Sequence, residues 1–217
     1  MSPTTIDLSS VAGFVRQQTH DISNHLNGFD LEAALLAEIV TDPEGAKGIE
    51  RLRHQIHALA EELKVVAGKF SYDEANRAPI AARELFLIWQ DQAPMIGLDS
   101  IVWGTALGDE KINVDVAALG DVLKELLVNA KQFTGTKGLA AMADLRGGRI
   151  EFELRESKRD TLDPSVWGIR PFVSTKRGGY GLGLWQVAQI VAANGGEITR
   201  AFLPSGTLVT KLTFPLA

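Results

Sequence analysis

Apolar and small residues near the N-terminus recur three and four positions apart: Leu8, Ala12, Val15, Thr19, Ile22, Leu26, Phe29, Ala33, Leu36 and Val40. This heptad seam predicts a long helix of the coiled-coil or bundle type. Thr41-Asp42-Pro43-Glu44-Gly45 interrupts it with turn chemistry. A second seam runs through Ile49, Leu52, Ile56, Leu59, Leu63, Val66 and Phe70. Two such helices joined by a short break make an antiparallel hairpin. One hairpin offers too little partner surface to bury both seams, so residues 1–70 are expected to dimerise into a four-helix bundle.

Residues 71–79 are polar and without period, and read as a linker. From residue 80 onward the pattern is mixed. Ala81–Trp89 reads as a helix, Ser100–Leu107 and Ile112–Val114 as strands. Val116, Leu119, Leu123, Leu126, Ala130 and Phe133 form the apolar stripe of a long helix, with Asp115 as its N-cap. Arg149–Arg155 alternates Ile150, Phe152 and Leu154 with charged residues, the signature of a half-buried strand. Leu184–Asn194 is helical and stops at Gly195-Gly196. Glu197–Phe202 and Thr207–Phe214 read as a closing hairpin. The expected class is α+β: a helical hairpin at 1–70, a linker at 71–79, and an α/β sandwich of mostly antiparallel strands over 80–217.

Composition narrows the chemistry. The 217 residues include no cysteine, which removes disulfides, thiolate metal sites and thiol nucleophiles. The 22 basic and 27 acidic residues leave a net charge of −5. Scattered charges of this balance give no footprint for nucleic acid or an anionic membrane. No run is long and apolar enough for a membrane span, and Met1-Ser-Pro-Thr-Thr lacks the basic start of a signal peptide, so a cytoplasmic location is expected. Glycine stands out, with four in the six residues from Gly178 to Gly183.

Three clusters carry candidate chemistry. The glycines Gly178, Gly179, Gly181 and Gly183 precede a helix and follow Lys176 and Arg177. Such a run lets the backbone approach an anion at a helix N-terminus, and it equally serves as a plain loop leading into a helix. It matches neither a dinucleotide fingerprint nor a P-loop. On the long central helix Asp121, Glu125, Asn129 and Gln132 share one polar stripe. Glu125 and Asn129 sit four apart, so they can face one ligand, and an asparagine oxygen suits Mg²⁺ on nucleotide phosphates; a solvated helix face gives the same stripe. In the first helix, His20 points roughly 200° away from Ile22 and beside Asp21 and Asn24, an arrangement open to a nucleophile with an adjacent proton acceptor and equally to a surface histidine. His25, His54 and His57 show no first-shell metal spacing.

Taken together these segments resemble the transmitter core of a two-component sensor histidine kinase. His20-Asp21-Ile22-Ser23-Asn24 resembles the phospho-acceptor box. Leu123-Lys-Glu-Leu-Leu-Val-Asn-Ala-Lys-Gln-Phe133 resembles the N box, with Glu125 and Asn129 at the catalytic and Mg²⁺ positions. Pro171-Phe-Val-Ser-Thr-Lys176 and Gly179-Tyr-Gly-Leu-Gly-Leu184 resemble the F and G2 boxes. The resemblance implies a dimerisation and phosphotransfer hairpin followed by an ATPase domain of the gyrase, heat-shock-ninety, histidine-kinase and MutL type. It implies ATP and Mg²⁺ as ligands, autophosphorylation of His20 with Asp21 as base, and transfer to a response-regulator receiver, with Asn24 tuning that step. Asn129, Lys131, Phe133, Lys176, Gly179, Gly181, Leu182 and Gly183 would hold the nucleotide and its metal.

The chain departs from that pattern at the adenine end. The family's G1 box sets an Asp before Gly-x-Gly just past a strand, and here Glu156 takes the Asp position with no glycine between Gly148 and Gly168. Gln132 stands where the N box usually carries lysine. A histidine phosphotransferase that relays phosphoryl groups between receivers, its ATP site degenerate, is the competing expectation. The stimulus would come from a separate sensor protein, or the chain is an intermediate relay.

Overall fold

The structure is a computed structural model that describes residues 8–70, 76–134, 138–157, 168 and 181–217. The chain divides into two compact units, Met1–Tyr72 and Asp73–Ala217.

The first unit is a hairpin of α1 (Leu8–Ile39) and α2 (Pro43–Phe70). The break is shorter than the sequence predicts, because Asp42 caps α2, which starts at Pro43, three residues before the end of the Thr41–Gly45 turn would place it. Asp42 Oδ2 accepts from Gly45 N at 2.8 Å, and Pro43 takes the first helical position, where its missing N–H costs nothing. The heptad seam splits in two. Leu26, Ala33 and Ile56 are buried within the hairpin, whereas Ile22, Phe29, Leu36, Leu52 and Leu59 stay 40% or more exposed. Asp30 of α1 and Arg53 of α2 join the helices through a bidentate pair, Nε to Oδ1 at 2.8 Å and Nη2 to Oδ2 at 3.3 Å.

The second unit opens with β1 (Ala78–Ala81), so the segment read as linker ends in strand. β1 pairs antiparallel with β3 (Lys111–Val114) in a two-stranded sheet. Pro79 is accommodated because a two-stranded sheet is all edge. The main sheet has the order β2-β4-β5-β7-β6, formed by Val102–Thr105, Leu139–Arg146, Arg149–Ser157, Thr207–Pro215 and Glu197–Phe202. Among the described residues, only β2 and β4 run parallel. Strand β4 falls where the sequence predicts no element, and it turns into β5 through Gly147 and Gly148, both at positive φ.

Helices α3 (Ala82–Met95), α4 (Val116–Thr134) and α5 (Gly183–Ala193) complete the unit. α3 runs six residues beyond the predicted Trp89 because Trp89 and Ala93 both bury against the core. Along β5, Ile150, Phe152 and Leu154 bury on the helix side while Glu151 and Arg155 alternate with them and pair with charged neighbours. A chain of edge-to-face rings links Trp103, Trp89, Phe152 and Phe214 with centroids 5.5–6.4 Å apart. Trp89 Nε1 also donates to the Leu123 carbonyl at 3.2 Å, fixing α3 against α4.

Candidate functional site

Asp115 caps α4 as its sequence predicts, accepting from Ala118 N at 3.0 Å. This cap sets the helix phase, so Glu125 and Asn129 share one face. Asn129 Nδ2 donates to the Glu125 carbonyl at 2.9 Å and to Glu125 Oε1 at 3.0 Å. The amide is thereby oriented, with its oxygen at the opposite end, the donor type that a hard cation takes.

Glu125 meets the first turn of α5. A Cβ at Gly183 would overlap Glu125 Oε1 and lie 3.2 Å from its Cδ, so only glycine admits the carboxylate there. Gly181 turns the chain into the helix at φ +65°, a conformation that L side chains rarely adopt. Leu182 between them is buried and its carbonyl accepts from Gln186 N at 2.8 Å, starting the helix. The α5 N-terminus, where backbone N–H groups favour negative charge, therefore lies beside the Glu125–Asn129 pair.

Asn194 holds the two helices together. It is 2% exposed, its Oδ1 accepts from Asp115 N at 2.6 Å, and its Nδ2 donates to the Ile190 carbonyl at 2.8 Å. One side chain thus ties the N-cap of α4 to the last turn of α5. The sequence pattern alone assigns it no role; its one signal is an asparagine at a helix C-terminus with two glycines behind it.

Other expected site residues are placed differently. Lys131 donates to the Ile96 carbonyl at the end of α3, which turns its ammonium toward that helix terminus. Glu156 is 5% exposed on the helix-facing side of β5, in phase with Leu154. Arg200 of β6, which no sequence motif singles out, lies on the same face. Burial pushes the Arg200 guanidinium down to about 10, opposed by the negative charge of Glu156. Its signal in the sequence is a basic residue in the apolar phase of Ile198-Thr199-Arg200-Ala201-Phe202. Lys176, Gly179 and the side chain of Phe133 lie outside the described residues, as does the Pro171–Lys176 segment.

In the hairpin unit, His20 is exposed on α1. Its Nδ1 lies 3.4 Å from Asp21 Oδ1 and 3.3 Å from Asn24 Nδ2. Gln17 Nε2 donates to the same Asp21 oxygen at 2.9 Å. The Gln17 hydrogen bond, then that of His20, holds the Asp21 carboxyl below the usual carboxylate range. When Nδ1 carries the proton toward Asp21, the Nε2 lone pair is the nucleophilic one.

The fold is similar to that of histidine kinases of known structure. The full-length ShkA in complex with AMPPNP matches 94% of this chain and 46% of its own, with a TM-score of 0.68 and 22% identity. The catalytic domain of histidine kinase ThkA matches 64% of this chain and 95% of its own at a TM-score of 0.53 and 20% identity. The mycobacterial sensor histidine kinase MprB matches 64% of this chain and 97% of its own at a TM-score of 0.52 and 17% identity. In sequence the chain is 28% identical over 203 residues to the sensor histidine kinase ZraS of Klebsiella oxytoca. That match covers 88% of this chain and 43% of ZraS, so the chain spans less than half the length of either ZraS or ShkA. No family model matches it. The helical hairpin followed by the mixed sheet domain agrees with the expected α+β class. Among the described residues, no helix is long and apolar enough to cross a membrane, and no group of three or more His, Cys, Asp or Glu residues gathers as a metal cage.

Proposed function

We propose that this chain is a two-component phosphotransfer protein that takes a phosphoryl group from ATP onto His20 and passes it to a response-regulator aspartate. The observation that carries the reading is the Glu125–Asn129 pair, locked by hydrogen bonds and set against the glycine-started α5. Nucleotide binding by the similar ShkA, whose structure holds AMPPNP, supports it. The polyphosphate would lie at Gly181–Gly183, with Asn129 Oδ1 meeting Mg²⁺ carried on the phosphates. Mg²⁺ bound there supplies neutralisation of the charge that develops on the phosphoryl oxygens.

In the first step the His20 Nε2 lone pair attacks the γ-phosphorus. The P–O bond to the bridging oxygen breaks and ADP leaves. Asp21 holds the proton on Nδ1 and stabilises the positive charge that the ring acquires. In the second step an aspartate oxygen of the receiver attacks the same phosphorus, the N–P bond breaks, and neutral His20 is restored. A homodimer through residues 1–70 and a separate sensor protein complete the proposal. The exposed half of the heptad seam supports the dimer.

The test is incubation with γ-labelled ATP and Mg²⁺. Acid-labile label on the wild type, absent from His20→Ala and Asn129→Ala, is the expected result. The competing reading, relay between receivers without ATP, rests on Glu156 at the position of the family's Asp with no glycine between Gly148 and Gly168. It predicts no label from ATP and uptake from a phosphorylated receiver that needs His20 and not Asn129.

A further inference from the structure

Helices α4 and α5 meet at two places that lie far apart along both. Glu125 meets Gly183 at one end, and the Asp115 amide meets Asn194 at the other. From 115 to 125 on α4 and from 194 back to 183 on α5, the spans are roughly 15–17 Å at about 1.5 Å per residue. The helices therefore run antiparallel, and α5 reaches from the Asp115 joint to the turn that would face the phosphates.

The two ends of α5 are held differently. At the far end Asn194, 2% exposed, accepts from Asp115 N at 2.6 Å and donates to the Ile190 carbonyl at 2.8 Å. Asp115 is fixed in turn, its Oδ1 accepting from Ala118 N at 3.0 Å and its Oδ2 from Asn76 N at 3.1 Å. Behind Asn194 the chain leaves tight against β7. A Cβ at Gly196 would lie 2.5 Å from Phe214 Cε1 and 2.9 Å from the Thr213 carbonyl oxygen. At the near end, Leu182 in the N-cap position makes no side-chain cap. Trp185, Val187, Ile190 and Val191 bury between the two ends, and such apolar packing holds a helix on the core without direction. A hydrogen bond is directional, so the Asn194–Asp115 bond fixes the place of α5 along its own axis.

We propose that Asn194 is a positioning residue for the phosphoryl transfer: its bond to the Asp115 amide sets the axial place of α5, and with it the distance of Gly181–Gly183 from Asn129. The inference rests on the ATP reading above. Slack at Asn194 becomes a displacement at Gly183, because a packed helix of this length moves as a rod. A misplacement of about 1 Å caused far from the chemistry costs on the order of 10²-fold in rate. Binding of a flexible polyphosphate in the ground state tolerates the same displacement better, so the loss falls on the rate constant.

The experiment follows label from γ-labelled ATP onto the full chain over time at saturating Mg²⁺ and ATP, with ATP affinity titrated on the same preparation. Asn194→Ala is expected to lower the labelling rate constant about tenfold or more, with the ATP dissociation constant within about threefold of wild type. Asn194→Ser, whose hydroxyl is too short to reach Asp115 N, is expected to behave alike and is the milder change if alanine unfolds the chain. A smaller fall in the rate constant overturns the proposal, most clearly when only the final amount of label drops, the signature of a smaller folded fraction. So does a loss of affinity beyond that range. Failure of both variants to fold overturns it too, by making Asn194 a determinant of stability. A wild type that binds no ATP and takes no label removes the ATP reading and the proposal with it. A labelled wild type beside an unaffected Asn194→Ala removes the proposal alone.

Discussion

The Glu125 carboxylate fills the space that a Gly183 side chain would occupy. Two residues from different helices, 58 positions apart in the chain, therefore constrain each other. Gly183→Ala is expected to push Glu125 off the α5 terminus, costing on the order of 1 kcal/mol because the displaced atom is the end of a flexible side chain, and abolishing label from ATP. Gly183→Ala combined with Glu125→Ala removes the clash, so stability returns while label stays absent. Urea melts of the four species in a double-mutant cycle check this, and additive costs would rule out the contact.

The hairpin leaves half of its seam uncovered. Ile22, Phe29 and Leu36 repeat every seven residues on α1, as Leu52 and Leu59 do on α2, and all five are exposed in a single chain. Such an exposed apolar stripe calls for a partner. Phe29→Glu with Leu59→Glu is expected to convert a dimer to a monomer in sedimentation equilibrium. A wild-type chain that is monomeric at all concentrations removes the dimer from the proposal.

What the sequence disclosed was local. The phase of α4 and its Asp115 cap follow from neighbouring residues, so the four-residue spacing by itself puts Glu125 and Asn129 on one face. Strand β4 was hidden because Ala140, Ala141 and Ala143 carry no strand preference of their own; it forms by pairing with β5 and burying Leu139, Ala141 and Ala143. Glu156 could be phased from Leu154, but Arg200 on the same face comes from a register two strands away, which no local pattern encodes. Lys131 lay in the expected motif, and only the end of α3 shows where its ammonium goes.

Acid should loosen the hairpin through Asp30. Hydrogen bonding to Arg53 first, then the charges of Arg53 and His57, hold its carboxyl below the usual value of 3.8 against the opposing effect of burial. A carboxylate with a depressed folded pKa contributes stability that is present above its unfolded value, about 3.9, and is lost as the pH falls through the folded one. Loss of α1–α2 helicity is therefore expected below about pH 4, and Asp30→Asn should remove this part of the acid sensitivity. All four tryptophans, Trp89, Trp103, Trp167 and Trp185, lie beyond the hairpin. Far-UV circular dichroism that changes while tryptophan fluorescence holds would assign the transition to the hairpin. Identical acid curves for wild type and Asp30→Asn would show that the pair contributes nothing there.

In the proposed transfer, the chemistry of His20 turns on Asp21. Its Oδ1 is shared between Gln17 Nε2 at 2.9 Å and His20 Nδ1 at 3.4 Å, so the carboxylate is oriented before the ring needs it. Asp21→Asn keeps the shape and removes the charge that stabilises a protonated ring. Labelling of His20 should slow by about 10²-fold or more, in the range typical of a lost acid–base partner. Gln17→Ala leaves that charge in place and loosens only its orientation, so a smaller loss is expected, within about tenfold of wild type for one neutral hydrogen bond. Equal losses in the two variants would mean that Asp21 acts through geometry alone, and an unaffected Asp21→Asn rate would remove it from the transfer step.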